Sequence, residues 1–341
     1  MKAIVIRKHG GFDVLSVDNV PTPEPKAGEV RVAVKACGLN FAEIMARKGL
    51  YPDAPKPPMI VGYEVSGVVN AVGKDVKRVK VGDRVAALTR FNGHAEFVVV
   101  AENQVFALPS SMSFEAAAAL PVNYLTAYHM LFQVFRVREG DTMLIHAVSG
   151  GVGTAVCQLA RTVKNVTVFG TASAKKHDYA RANGCDFPID YRSVDYAEVI
   201  RKATNSKGVD LVMDALGGPD WKKGYSLLRP SGMLIAFGWS NMSDGSKRNL
   251  GRLIGQVTSL PFFTPIRLMD DNKAVAGVNV GHLWDEISML KEQADALMRL
   301  FELGKIEPKV DKIFSFEEAA EAHRYLESGQ NLGKVLLVPR A

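Results

Sequence analysis

The residues with the clearest chemical purpose are Ser149, Gly150, Gly151, Val152 and Gly153. They follow an apolar run at 142–147 and lead straight into a helical pattern with Val156, Leu159 and Ala160 on one face. Glycines are required where a backbone turns sharply and must come close to a pyrophosphate. The N-terminus of the following helix offers free N–H groups and a partial positive charge. A glycine string alone is weak, because such turns are common; the strand before it and the helix after it supply the context of a β-α-β unit. These residues point to a dinucleotide.

Which dinucleotide depends on the end of the second strand. A site for NAD needs an acidic residue about 20 residues past the glycines, to accept hydrogen bonds from the adenosine ribose. Positions 170–174 are Gly, Thr, Ala, Ser and Ala, with Lys176 close behind and Tyr191 and Arg192 further on. A hydroxyl at Ser173, an ammonium at Lys176 and the side chains of Tyr191 and Arg192 suit a 2′-phosphate. Lys175 and Lys176 are equally compatible with the solvated start of a helix, so the missing acid decides for NADPH.

The elements that must position these residues change character along the chain. In the first third, Val-rich segments such as 29–36, 65–71 and 84–87 are separated by Gly and Pro, the pattern of many short strands. From Ser113 the texture turns helical, first Ala-rich at 114–120, then with helical apolar spacing at 122–135. Strands at 142–147, 166–169, 209–214 and 233–237 then alternate with helices at 154–164 and 174–183, the latter ending at Gly184. Such alternation indicates a doubly wound parallel sheet. The last segment holds helices at 290–303 and 316–326 and a closing strand at 334–338, too little for a core of its own, so it is expected to pack onto the first third. The expected division is residues 1–121 and 282–341 in a β-rich domain and 122–281 in a Rossmann domain.

Composition narrows the classes of function. The chain has 341 residues, against roughly 150 per domain, and is 47% apolar and 23% charged, which excludes disorder and a disulfide-stapled miniprotein. Forty-two basic and 36 acidic residues leave a formal charge of +6 spread along the chain, with no basic motif for nucleic acid. Cys37, Cys157 and Cys185 stand far apart, as in a reducing compartment. No run approaches the ~18 to 20 apolar residues of a membrane span; the nearest, 250–269, is broken by Arg252, Gln256, Pro261, Pro265 and Arg267. The expectation is a cytoplasmic protein.

Longer motifs carry a resemblance. The stretches CGLNFAEIMARKGLYP (37–52), PPMIVGYEVSGVV (57–69), VGDRVAAL (81–88), NGHAEFVVV (92–100), LPVNYLTAYHML (120–131), IHAVSGGVGTAVCQLA (145–160), GVDLVMDALGG (208–218), LRPSGMLIAFG (228–238) and GKVLLVP (333–339) span nearly the whole chain. In this order they resemble the medium-chain dehydrogenase/reductase superfamily, and within it the zinc-free NADPH:quinone oxidoreductases, nearest the vesicle amine transport protein branch. The resemblance implies an α/β chain with a GroES-like β-rich catalytic domain and a Rossmann domain, usually assembled as a homodimer.

Zinc divides that superfamily. By the motif, Asn40 stands where zinc members carry a cysteine and Tyr63 where they carry a histidine; Cys37 lies three residues too early, and Glu64 persists without partners for a metal. No metal site is expected. Without a Lewis acid, hydride transfer needs an acceptor that is already electron-poor, a quinone or an α,β-unsaturated carbonyl. The resemblance places Asn40, Glu43 and Tyr51 beside the nicotinamide. Asn40 can donate an amide hydrogen bond to a substrate carbonyl and Tyr51 a phenol proton, while Glu43 replaces the more usual Asp. Each has a plainer reading: Tyr51 as a packed turn aromatic, Asn40 as a satisfied strand-end amide. Thr126 matches the threonine that meets the nicotinamide, or else faces its own helix backbone. Gly238 is placed at the cofactor edge and Asn331 near the phosphates. His146, Cys157 and Cys185 read as core residues. The alternative to an enzyme is an NADPH-binding protein that docks a membrane peripherally, or a partner, through Leu260, Phe262 and Phe263. An exposed patch there favours docking, and burial removes its support.

Overall fold

The structure is a computed structural model that describes residues 1–243 and 260–339. It divides into two compact units, Met1–Leu125 with Val280–Ala341, and Thr126–Asn279.

The first unit is built on strands. β1 (Lys2–Ile6) and β2 (Leu15–Asn19) form an antiparallel pair. β3 (Glu29–Leu39) is the spine of a seven-stranded sheet, and its alternating buried positions Val30, Val32 and Val34 show why its sequence reads as a strand with one face in the core. Helix α1 (Phe41–Arg47) follows directly. β4 (Glu64–Val72), β5 (Arg84–Leu88), β6 (Phe97–Ala101) and β7 (Val105–Ala107) complete the N-terminal share, with β4 and β6 flanking β3. Val32, Val65, Val69, Val85 and Val98 meet in one apolar core. Helices α2 (Phe114–Ala118) and α3 (Pro121–Tyr128) lead out of the unit.

The second unit is a parallel α/β sheet. In chain order it runs β8 (Thr142–Ile145), α4 (Gly151–Ala160), β9 (Thr167–Thr171), α5 (His177–Ala182), β10 (Phe187–Ile189), α6 (Tyr196–Ala203), β11 (Val209–Asp214), α7 (Pro219–Leu227), β12 (Leu228–Ala236), α8 (Pro265–Asp271) and β13 (Ala274–Gly277). The strand order is β10-β9-β8-β11-β12-β13, all parallel, so the direction of winding reverses between β8 and β11. Ligands of such sheets bind at the carboxyl ends of the strands beside that reversal.

The chain then returns to the first unit through α9 (Ile287–Glu302), β14 (Val310–Ser315), α10 (Ala319–Glu327) and β15 (Lys334–Val338). β15 lies antiparallel to β3, with Val335 opposite Leu39 and Leu337 opposite Cys37, and β14 adds in parallel outside it. The expected return of the last segment to the β-rich third is thus a matter of strand pairing.

Three local expectations shift. The helix expected at 154–164 begins at Gly151, because glycines at its first turn cost little once the backbone there is held. The helical pattern at 122–135 is α only to Tyr128 and continues as a π-helix over His129–Phe135, closed by Arg136 with φ 62°. The strand expected at 233–237 begins earlier, at Leu228.

Candidate active site

In the second unit, β8 delivers its buried Met143, Leu144 and Ile145 to a turn that ends on Gly150, the residue preceding α4. Gly150 is extended (φ −82°, ψ −179°) and provides no side-chain cap, and the first turn of α4 holds no acid. Its opening N–H groups therefore offer their hydrogens and the positive end of the helix dipole to an anion. The glycines have different reasons to be there. A Cβ on Gly153 would stand 2.5 Å from the Ala147 carbonyl oxygen and 2.5 Å from Val148 Cα, whereas one on Gly150 would meet only that oxygen, at 3.3 Å. Gly153 lets helix and turn touch, and Gly150 keeps the approach to the N–H groups clear.

The turn is held from beneath by a buried polar ladder. Thr171, at the end of β9, places its Oγ1 3.0 Å from His146 Nδ1 and accepts from Ala147 N at 3.3 Å. Ala147 takes a left-handed conformation, φ 54°, uncommon for a residue with a Cβ. On the other side of His146, Asp214 Oδ1 accepts from Leu216 N and Gly217 N at 2.7 and 2.8 Å. Burial drives His146 towards its neutral form. His146 is thus the core residue the sequence suggests, with a job in shaping the turn. Cys157 and Cys185 are also buried.

At the carboxyl end of β9 the chain passes through Ser173 into a 3-10 turn, Ala174–Lys176, with Lys176 N donating to Ser173 O at 2.9 Å. Ser173 and Lys176 are both buried, so Lys176 does not belong to a solvated helix start. Ala172 N bonds Ile189 O at 3.0 Å and ties this segment to the end of β10, after which Tyr191 stands exposed with Arg192 5.8 Å from its ring centroid. The unit thus gathers Ser149, Gly150, Gly151, Val152, Gly153, Ser173, Lys176 and Tyr191 at the carboxyl ends of β8, β9 and β10. No carboxylate lies at positions 170–174. This donor set fits a dinucleotide with a phosphorylated ribose. Gly238 follows β12, where a Cβ would meet Ala215 O at 2.9 Å, and Thr126 is buried on α3. Asn331 belongs to the first unit, where its Nδ2 donates to Gly333 O at 2.9 Å within its own turn.

The first unit holds a second polar centre. Asn40 precedes α1 and Glu43 lies in its first turn; Asn40 N donates to Glu43 Oε2 at 2.8 Å and Asn40 Nδ2 to Glu43 Oε1 at 3.3 Å. Glu43 Oε1 also accepts from Tyr63 N at 3.2 Å. Asn40 Nδ2 donates as well to Glu64 Oε1 at 3.1 Å, and Asn40 Oδ1 accepts from Lys334 Nζ at 2.6 Å. The Lys334 ammonium pairs with Glu64 Oε1, whose partner oxygen accepts from Val122 N at 2.7 Å. Glu43, Glu64 and Lys334 are buried, and Asn40 alone of the four keeps surface. Burial is the main force on Glu43 and lifts its carboxyl to about 7, against the lowering pull of Lys334.

Asn40 is therefore satisfied through both ends of its amide. Tyr51 stands edge-on to Tyr63, centroids 5.9 Å apart, against the cluster of Ile6, Val14, Ala46, Met59 and Val61. Among the described residues no group of three or more His, Cys, Asp or Glu is placed to hold a metal ion. Sequence reasoning left Lys334 without a role. Its signal was a lysine opening an otherwise apolar strand, KVLLV.

The segment at 260–271 splits. Phe263 packs on Tyr225, centroids 4.9 Å apart, while Phe262 is 82% exposed and Ile266 and Met269 each 69% exposed on this chain. The remainder of the apolar segment 250–269, residues 250–259, lies outside the described residues.

Known proteins match throughout. Residues 26–110 match the family model for the alcohol dehydrogenase GroES-like domain, and residues 183–337 the one described as zinc-binding dehydrogenase. Synaptic vesicle membrane protein VAT-1 homolog of Rattus norvegicus is 44% identical over 341 residues, 99% of this chain and 84% of that one. Quinone oxidoreductase of Pseudomonas aeruginosa is 35% identical over 340 residues, 99% of each chain. The crystal structure of Escherichia coli quinone oxidoreductase complexed with NADPH has a TM-score of 0.89 at 29% identity, over 99% of this chain and 100% of that one. The chain belongs to the medium-chain dehydrogenase/reductase superfamily of oxidoreductases, in its NADPH:quinone oxidoreductase-like family.

Proposed function

We propose that the protein uses NADPH to reduce a quinone or an α,β-unsaturated carbonyl without zinc. The observation that carries this reading is the carboxyl edge of the parallel sheet: an uncapped glycine-led helix for the pyrophosphate, with Ser173 and Lys176 where an NAD site has its acid. NADPH, when bound, supplies the hydride. Thr126, Gly238 and Asn331 are further cofactor contacts on this reading.

The chain's own part is positioning and proton supply. Asn40 presents an amide donor to the acceptor's carbonyl oxygen, Tyr51 offers a phenol proton, and Glu43 is the buried carboxyl behind them. In an enone the hydride goes to the β-carbon and a proton to the α-carbon. A quinone takes the same hydride and a proton to become hydroquinone. By motif Asn40 and Tyr63 stand where zinc members carry a cysteine and a histidine, and the Lys334 ammonium engages both Asn40 Oδ1 and Glu64 Oε1, a cation where a metal ion would need open anionic ligands. The working state on this reading is a cytoplasmic homodimer.

The test is NADPH oxidation at 340 nm with 1,2-naphthoquinone, 9,10-phenanthrenequinone and a 2-alkenal, repeated with NADH. Turnover with NADPH, weak activity with NADH and loss of that preference in Lys176→Ala are expected. Tight NADPH binding with no acceptor reduced would overturn the enzyme reading. A second reading, docking to a membrane surface or partner, draws on the exposed Phe262, Ile266 and Met269. No helix among the described residues is long and apolar enough to cross a membrane, so flotation with anionic vesicles would have to be abolished by Phe262→Asp.

A further inference from the structure

Four side chains from three distant parts of the sequence, Asn40 and Glu43, Glu64, and Lys334, meet at the junction of β3, α1, β4 and β15. Three are sealed from solvent, so anything that engages the group reaches it through Asn40. An amide can be flipped by 180° at little steric cost, and a flipped Asn40 would present an acceptor where a donor is needed. Lys334 forbids that flip. Its ammonium carries only donors, is anchored on Glu64, and takes Asn40 Oδ1 at 2.6 Å, so the oxygen must face β15 and the NH2 must face the carboxylates.

The two hydrogens of that NH2 are not held equally. The bond to Glu64 is 3.1 Å and that to Glu43 is 3.3 Å. Glu43 also loses little by releasing it, because its oxygens retain Asn40 N at 2.8 Å and Tyr63 N at 3.2 Å. We propose that Lys334 is a positioning residue of the reduction site: through Glu64 it fixes the Asn40 amide as a donor and leaves Glu43 as the partner that an incoming carbonyl oxygen displaces. This rests on the reading of Asn40 as the acceptor's contact.

Displacement has a sign. The groups facing Glu43 are Lys334 from β15, Glu64 from β4, Cys37 from β3 and the Tyr63 phenol just before β4. The bond from Asn40 is among the influences that hold the Glu43 carboxyl down to about 7. Removing that bond raises it further, so near neutral pH a carbonyl ligand arrives with uptake of a proton and binds more tightly as pH falls through 7.

The experiment measures 2-cyclohexenone binding to the NADP⁺ complex by calorimetry in buffers of different ionisation heat, beside NADP⁺ affinity and turnover. Lys334→Met alone leaves Glu64 buried without its ion pair and is expected to be strongly destabilised, which would blur any effect on binding. The working variant is therefore Lys334→Met with Glu64→Gln, which removes both charges together. The expectation is proton uptake on binding in the wild type. The folded double variant should keep NADP⁺ affinity, bind the enone roughly tenfold more weakly, and show no uptake at pH 7. There the loss of Lys334, which holds the Glu43 carboxyl down, outweighs the loss of Glu64, which pushes it up, so Glu43 is expected to take its proton before the enone arrives. Absence of uptake in the wild type, or equal enone affinity in the folded double variant, overturns the positioning role. Wild type that binds the enone with uptake but reduces no acceptor overturns the reductase reading alone.

Discussion

At the head of α4 the useful chemistry belongs to the main chain, and side chains are kept away from it. Around Asn40 the main chain is scaffolding, and the chemistry lies in four side chains that satisfy one another. The first arrangement is local: strand, turn and helix within twenty residues, with one clash-prone glycine and one open one. The second draws on residues up to 294 positions apart. A site made of backbone is broken by adding atoms, and a site made of mutually neutralising charges is broken by removing one.

The largest expected effect follows from the second case. Lys334→Met should lower stability by about 3–5 kcal/mol, the usual cost of orphaning one partner of a buried ion pair, and Lys334→Met with Glu64→Gln should recover most of it. Urea unfolding of both variants checks this, and a single variant as stable as the wild type would mean that the Lys334–Glu64 pair does not hold the fold together.

The glycines test the first case. Gly153→Ala puts a methyl 2.5 Å from two backbone atoms and should cost about 1–3 kcal/mol along with cofactor affinity. Gly150→Ala meets one oxygen at 3.3 Å in a conformation any residue adopts, so its melting temperature should hold while NADPH affinity falls. If both variants melt early, the division of labour between the glycines is wrong.

Acid should weigh on the first unit through two buried histidines, as it does on the second through His146. Burial lowers His94 from 6.5 to about 4 and, helped by Arg47 and His94, pushes His323 well below its usual value. Their folded forms are neutral, so the unfolded chain binds more protons below about 6.5. Stability is full above that pH and is lost as pH falls from 6.5 towards 4, by roughly 1.4 kcal/mol per unit for each histidine. Glu43 works the other way. Its carboxyl is raised from 4.5 to about 7 in the fold, so it gives stability below 4.5 that is lost as pH rises to 7. Glu43→Gln should therefore steepen the acid loss between 4.5 and 6.5, read from melting temperatures across that range.

The smallest expected effect is on cofactor choice. Lys176→Ala should cut the preference for NADPH over NADH roughly tenfold, about 1.4 kcal/mol for one charge-assisted contact, with stability little changed.

What could be seen in the sequence follows the same contrast. The glycine loop, the alternating strands and helices and the β-rich first third were legible because each is encoded within a short window. Ser173 and Lys176 were legible from what they replace. The Asn40 amide was legible as a candidate donor but not as a satisfied one, since its partners Glu64 and Lys334 lie 24 and 294 residues away. The π-turn at His129–Phe135 escaped because its apolar spacing imitates an α-helix. His94 and His323 carried no pattern at all; burial, set by tertiary packing, gives them their meaning.

The pairing of β15 with β3 has a consequence for how the protein is made. Every strand of the parallel sheet precedes residue 280, so a nascent chain can shape its dinucleotide cradle while still on the ribosome. The Asn40 centre must wait for Lys334 to emerge. Until then Glu64 lacks the Lys334 ammonium, and β3 lacks its β15 partner along Cys37–Leu39.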